Sequence, residues 1–138
     1  MYRTHTVSVG IAIDPKRVYT YTADPANLPI WAPSFVKSIE KQGSSWIADT
    51  SSGQARFRFA PANEFGILDH DVELPSGTFH NPMRVIPNGT GCEVLFTLVQ
   101  LPSVSDEQFQ IDMDTVRADL NKLRTVVEHR FGGAGRST

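Results

Sequence analysis

SDEQFQIDMDTVRADLNKLRTVVEHRF, residues 105–131, is the stretch on which the fold turns. Within it Phe109, Met113, Val116, Leu120, Leu123 and Val127 recur at alternating steps of four and three residues, which places one apolar stripe along an amphipathic helix. Ser105 can cap the first turn with Gln108 three residues later, Asp106 and Glu107 suit the positive end of the helix dipole, and Gly132 and Gly133 supply a stop. At ~1.5 Å per residue this helix is about 40 Å long. Its stripe needs an equally long apolar surface, and the chain before it must provide one.

That upstream chain reads mostly as strands. Thr4 to Ile13 sets Val7, Val9, Ile11 and Ile13 against Thr6, Ser8, Gly10 and Ala12, the period of two expected of a first strand. Asp14-Pro15 ends it and starts a short helix through Val18 and Tyr19, and Asp24-Pro25 repeats the signal ahead of a second helical turn over Asn27 to Trp31. From Phe35 to Leu101, turn dipeptides at Gly43-Ser44, Ser52-Gly53, Ser76-Gly77 and Asn88-Gly89 divide the chain into antiparallel strands. Counting outward from three of these centres pairs Trp46 with Phe59, Ala48 with Phe57 and Asp49 with Arg56; Leu74 with Phe79, His70 with Met83 and Asp69 with Arg84; and Met83 with Val94, Asn81 with Phe96 and Arg84 with Glu93. Each hairpin then has opposite charges on one face and large apolar side chains on the other. The inward set is Trp46, Ala48, Ala55, Phe57, Phe59, Leu68, His70, Val72, Leu74, Phe79, Asn81, Met83, Val85, Val94, Phe96 and Leu98. Leu95, Val99 and Leu101 make the last strand apolar on its other side too, so either a second copy of the chain or the short helices must cover it.

The 138 residues, 40% hydrophobic and 20% charged, suit a single domain over residues 1–131, with the Gly-rich end, 132–138, as a disordered tail. A net charge of −2 with interspersed signs gives no footprint for nucleic acid. Cys92 stands alone, which excludes an internal disulfide and any multi-cysteine metal site. The amino terminus lacks an export-signal pattern and no apolar run approaches ~18 residues, so the expectation is a soluble cytoplasmic protein without membrane insertion.

The order strand, two short helices, about six antiparallel strands, long carboxy-terminal helix carries a family resemblance. Val18-Tyr19, Ala23-Asp24-Pro25 and Leu28-Pro29-Ile30-Trp31-Ala32-Pro33 resemble the helix pair of the START-like, or SRPBCC, helix-grip superfamily, which includes polyketide cyclases and dehydrases and lipid-transport proteins. Residues 63–70, 82–88 and 93–98 are similar to a bacterial branch of it without a settled function. The resemblance implies an α+β fold in which a curved antiparallel sheet of about seven strands grips the last helix across a hydrophobic cavity. It carries over no shared catalytic motif; no cofactor is expected, and no cluster of His, Asp and Glu has metal-ligand spacing.

With that cavity as an expectation, its candidate lining is Trp31, Trp46, Phe57, Phe59, Leu68, His70, Val72, Phe79, Asn81, Met83, Phe96 and Leu98, facing Phe109, Met113, Val116 and Leu120 of the helix. A small hydrophobic molecule such as a lipid, a quinone or an aromatic polyketide is the expected partner. His70 among apolar neighbours reads either as a core histidine with one hydrogen bond or as a general acid or base. Asn81 reads as a ligand-orienting amide or as a partner for backbone beside Pro82, and Trp31 as a lid over the cavity mouth or plain packing. Arg84, between Asp69 and Glu93, reads as part of a surface ion-pair ladder, as do Arg56 and Arg58. His5, His80 and His129 fall on outward or terminal positions, and Cys92 reads as an inert small hydrophobe. Ligand binding, a cyclase or dehydrase reaction using His70, and a dimeric interaction module are the three functions left open.

Overall fold

The computed structural model describes residues 1–132, so the expected tail lies outside them except for Gly132. Eight strands, β1 (Thr4–Ile11), β2 (Val36–Gln42), β3 (Ser45–Thr50), β4 (Gly53–Phe59), β5 (His70–Leu74), β6 (Gly77–Asn81), β7 (Met83–Asn88) and β8 (Gly91–Val99), are antiparallel throughout. Three helices complete the fold: α1 (Pro15–Ala23), α2 (Leu28–Trp31) and α3 (Asp106–Val127). The caps form as the sequence requires: Asp14, Asp24 and Ser105 accept from the main-chain N–H groups of Arg17, Ala26 and Gln108 at 3.0, 3.0 and 3.1 Å. Among the described residues no helix is long and apolar enough to cross a membrane.

The strands form two sheets rather than the single one expected, a three-stranded sheet in the order β1-β8-β7 and a five-stranded sheet in the order β2-β3-β4-β5-β6. Pro82 is the seam. It lies between β6, which pairs with β5, and β7, which pairs with β8, and its missing N–H cannot join a ladder. Contact between β6 and β8 keeps the two sheets together as one curved wall.

Three hairpin registers differ by two residues from those counted on the turn dipeptides. Thr50 pairs with Gly53 and Leu74 with Gly77, so Ser51-Ser52 and Pro75-Ser76 are the turn centres, and each glycine instead opens the following strand with φ of +107° and +144°. In the third hairpin Asn88 pairs with Gly91 around Gly89-Thr90. Trp46 therefore meets Phe57, Ala48 meets Ala55, Val72 meets Phe79, His70 meets Asn81, Met83 meets Phe96 and Val85 meets Val94. A slip of two leaves every side chain on the face it had. Ala48, Ala55, Phe57, Leu68, Val72, Met83, Val85, Val94 and Leu98 are all buried. The charge partners do change: Asp49 lies opposite Gln54, Glu93 opposite Ile86, and Glu73 takes Arg56 and Arg58 at 3.9 and 3.0 Å.

Helix α3 lies against β1 and β8 and buries Phe109, Met113, Leu120, Leu123 and Val127. It ends at Val127 rather than Phe131, because the chain widens into a π-helical turn over Glu128–Gly132. That turn closes one end of the fold: Glu128 accepts from the N–H of Ala12 at 3.0 Å, and Phe131 meets Tyr21 edge-on at 6.5 Å. Helix α1 lies against β7 and β8, and Leu95, Val99 and Leu101 on the other side of the last strand are half-buried.

Candidate functional site: the cavity between sheet and helix

Between the sheets and α3 lies a cavity of about 610 Å³, within the size range of small-molecule sites. Its sheet wall comes from Phe57, His70, Val72, Leu74, Phe79, Asn81, Phe96 and Leu98, and its helix wall from Phe109, Val116 and Leu120. Leu28, Trp31, Ala32, Phe35 and Val36 border it from α2 and the start of β2. The turn residues Ser52 and Ser76, with Ser103 and Ser105 before α3, form a polar rim.

Of the residues expected there, Trp31, Phe57, His70, Val72, Phe79, Asn81, Phe96, Leu98, Phe109, Val116 and Leu120 border the cavity; Trp46, Phe59, Leu68, Met83 and Met113 do not. Phe59 is on the same sheet face, stacked on Phe57 at 5.7 Å and opposite His70, next to the cavity's border. Leu68 and Met83 are taken up in packing next to Pro82, where the Leu68 N–H donates to the Met83 carbonyl at 2.9 Å. Trp46 is half-buried one strand away from Phe57, and Met113, on the same stripe of α3 as Phe109 and Leu120, is buried in the core.

One group of lining residues escaped the sequence reading. Gln108, Asp112, Thr115 and Asp119 border the cavity and repeat at steps of four, three and four, the same rhythm as the apolar stripe set back by one position. The pattern was present in the sequence, but a polar stripe beside an apolar one normally faces water. Asp119 is 6% exposed and accepts from the Ser34 N–H at 3.4 Å; Asp112 accepts from the Gln108 side chain at 2.9 Å. Burial raises the pKa of both carboxyl groups above the ordinary value, opposed by these hydrogen bonds.

On the opposite wall His70 is half-buried, its ring stacked near those of Phe57 and Phe59 at 6.2 and 5.8 Å and edge-on to Phe96 at 5.7 Å. Its Nδ1 lies 3.0 Å from the Leu68 carbonyl oxygen and its Nε2 3.5 Å from the Asn81 amide nitrogen. Desolvation by the surrounding rings lowers its pKa, outweighing the Leu68 hydrogen bond and the charges of Asp69 and Asp71. The neutral ring therefore presents Nε2, an acceptor, on the same face as the Asn81 amide.

Other candidates stand away from the cavity. Arg84 pairs with Asp69, which also accepts from the Met83 N–H at 2.9 Å, so this ion pair pins the strands beside Pro82. Segment 60–69 is fastened by Asn63, whose side chain accepts from the N–H groups of Phe65 and Ile67 at 2.9 and 3.0 Å and donates to the carbonyls of Pro61 and Ile67. His80 hydrogen-bonds Asp71 at 2.6 Å on the outer surface. Cys92 is 1% exposed, and its thiol is pushed up to about 11, chiefly by burial.

Eight antiparallel strands closed over a long carboxy-terminal helix with a cavity between them have close structural counterparts. The protein XoxI from Bacillus cereus superimposes with a TM-score of 0.73 at 18% identity, covering 89% of this chain and 94% of that one. A START superfamily protein from Mycobacterium smegmatis gives 0.67 at 17% identity over 94% and 99% of the two chains. This is the START-like helix-grip fold. Truncated norcoclaurine synthase from Thalictrum flavum shares it, with a TM-score of 0.66 at 15% identity over 92% and 94% of the chains. No protein-family model and no curated protein sequence matches the chain. At these identities the likeness is one of fold, and the helix-grip chain's chemistry has to be argued from its own cavity.

Proposed function

We propose that the protein binds a small, mainly apolar molecule between its sheets and α3. The observation that carries this reading is the cavity itself: about 610 Å³ bordered by Trp31, Phe57, Val72, Phe79, Phe96, Leu98, Phe109, Val116 and Leu120, with its polar groups gathered in the serine rim, the α3 stripe and the His70–Asn81 pair. A well-packed interior leaves few voids larger than a water molecule, so an apolar space of this size is costly unless something fills it. His70 and Asn81, paired across β5 and β6, orient the guest through a hydrogen bond. A panel of lipids, quinones and aromatic polyketides tested by native mass spectrometry and thermal denaturation identifies the class. A ligand at a hundredfold excess over its Kd stabilises the fold by about 2.7 kcal/mol. No binding across such a panel refutes the reading.

A second reading is supported by the state of His70. A neutral imidazole in this cavity, whose acceptor nitrogen has only the long 3.5 Å contact from the Asn81 amide, is suited to take a proton from a bound substrate that displaces Asn81, as a cyclase or dehydrase reaction requires. Replacing His70 with Gln keeps hydrogen bonding but removes the basic nitrogen. Turnover should vanish while ligand affinity changes little, and retained turnover would exclude His70 as the base.

A further inference from the structure

The cavity's polar groups have a sign. Its bordering residues include no lysine and no arginine, His70 is held in its neutral form, and the two formal charges are both carboxylates, Asp112 and Asp119. Neither is in an ion pair among the described residues. The cation that acts on Asp119 is Lys37, which donates to the Pro33 carbonyl at 3.0 Å and is not within ion-pair distance of either carboxylate. Asp119 is 6% exposed, and its hydrogen-bonding partner is Ser34, whose N–H donates at 3.4 Å and whose side chain also favours the charged carboxylate. A carboxylate removed from water with its nearest cation beyond ion-pair distance is costly. The apolar cavity it borders lets a guest supply that charge.

We propose that the guest is an apolar molecule carrying a protonated amine, held by Asp119 and Asp112 on the helix wall, and that the cavity rejects anionic lipids. This rests on the reading of the cavity as a ligand site and specifies its chemistry. A fatty-acid carboxylate or a phosphate group would meet two like charges and no cation, whereas an alkylammonium meets two acceptors. The apolar remainder lies along Phe57, Val72 and Phe96, with the His70–Asn81 pair at the far end.

Three ten-carbon probes that differ only at one end test the charge directly on the full chain: decylamine, decanol and decanoate, by isothermal titration near neutral pH. The amine should bind at least about tenfold more tightly than the alcohol, and the carboxylate at least about tenfold more weakly, each tenfold step being one unit in log Kd. The double variant Asp112→Asn with Asp119→Asn should bring the amine down to the affinity of the alcohol. Asp114→Asn makes the same charge change on α3 outside the cavity lining, and should leave the order as it is. If the alcohol binds but amine and carboxylate match it, the charge selectivity is wrong and the ligand site stands. Failure of all three probes overturns both. The wild-type comparison needs no variant, so it decides even if a double variant does not fold.

Discussion

Nδ1 of His70 lies 3.0 Å from the carbonyl oxygen of Leu68, two residues earlier in the chain, and this contact decides what the other ring nitrogen can do. A carbonyl oxygen only accepts, so Nδ1 carries the proton and Nε2 keeps its lone pair. Since burial lowers the pKa from its ordinary 6.5, the imidazole is neutral at physiological pH. Long-range proton–nitrogen NMR should find the Nδ1–H tautomer at neutral pH, with the imidazolium appearing only below 6.5. The unfolded chain binds this proton more readily than the folded one. The stability associated with His70 is therefore complete above pH 6.5 and declines as the pH falls below it. An imidazolium signal at neutral pH would contradict this assignment.

Asp119 gives the opposite slope. Its carboxyl group is raised above 3.8, so the folded state holds the proton more tightly than the unfolded chain, and the charged form weighs against folding once the pH exceeds the folded value. Asp119→Asn removes the charge and keeps an oxygen for the Ser34 N–H. In the empty protein this variant should melt at a higher temperature than wild type at neutral pH, and the gain should shrink as the pH is lowered through the carboxylate range. A lower melting temperature at pH 7 would show that the carboxylate is well compensated. The same substitution is expected to weaken amine binding, so stability and affinity should move in opposite directions.

Gly66 occupies a position that other residues cannot share. Its φ is +72°, and a Cβ built there would lie 2.2 Å from the main-chain oxygen of Val85. The close approach is functional to the fold, because the Gly66 carbonyl accepts from the Val85 N–H at 2.9 Å and so docks segment 60–69 on β7. Gly66→Ala should cost about 1–3 kcal/mol from the left-handed backbone alone, with the collision added. Urea denaturation measures the loss. A change below 0.5 kcal/mol, the range of ordinary surface substitutions, would mean that the segment is not docked this way.

How much of this was readable beforehand depends on which quantity the sequence specifies. The sheet faces are set by parity, so Phe57, Val72, Phe96 and the other inward residues were identified even though three registers were two residues off. The turn centres were not legible, because Gly53 and Gly77 serve as the first strand residue after the turn and their positive φ is satisfied there as well as inside it. That displacement mattered at the site, since it pairs His70 with Asn81 instead of Met83. The resemblance to the helix-grip superfamily rested on local segments and element order, both of which constrain topology strongly. Asp112 and Asp119 were missed for a physical reason: water and a partly polar cavity impose the same periodic pattern on a helix, and only the packing of the folded chain, which buries Asp119 to 6% exposure, reveals which one the stripe faces.

Occupancy of the cavity can be separated from its architecture with a single side chain. Val116 is half-buried on α3 and borders the empty space, so a larger residue has room to turn into it without displacing packed neighbours. Overpacking a filled core usually costs about 1–3 kcal/mol. Filling an existing void adds apolar contact and gains up to about 25 cal/mol for each Å² removed from water. Val116→Phe should therefore leave the melting temperature unchanged or raise it, while lowering the affinity of any cavity ligand at least about tenfold, which is 1.4 kcal/mol. Calorimetry on the pure variant reads the first effect and titration with the tightest-binding probe reads the second. If the variant is destabilised by several kcal/mol, the space beside Val116 is already committed to packing; if it is stable and binds as before, the ligand sits elsewhere than between α3 and the sheets.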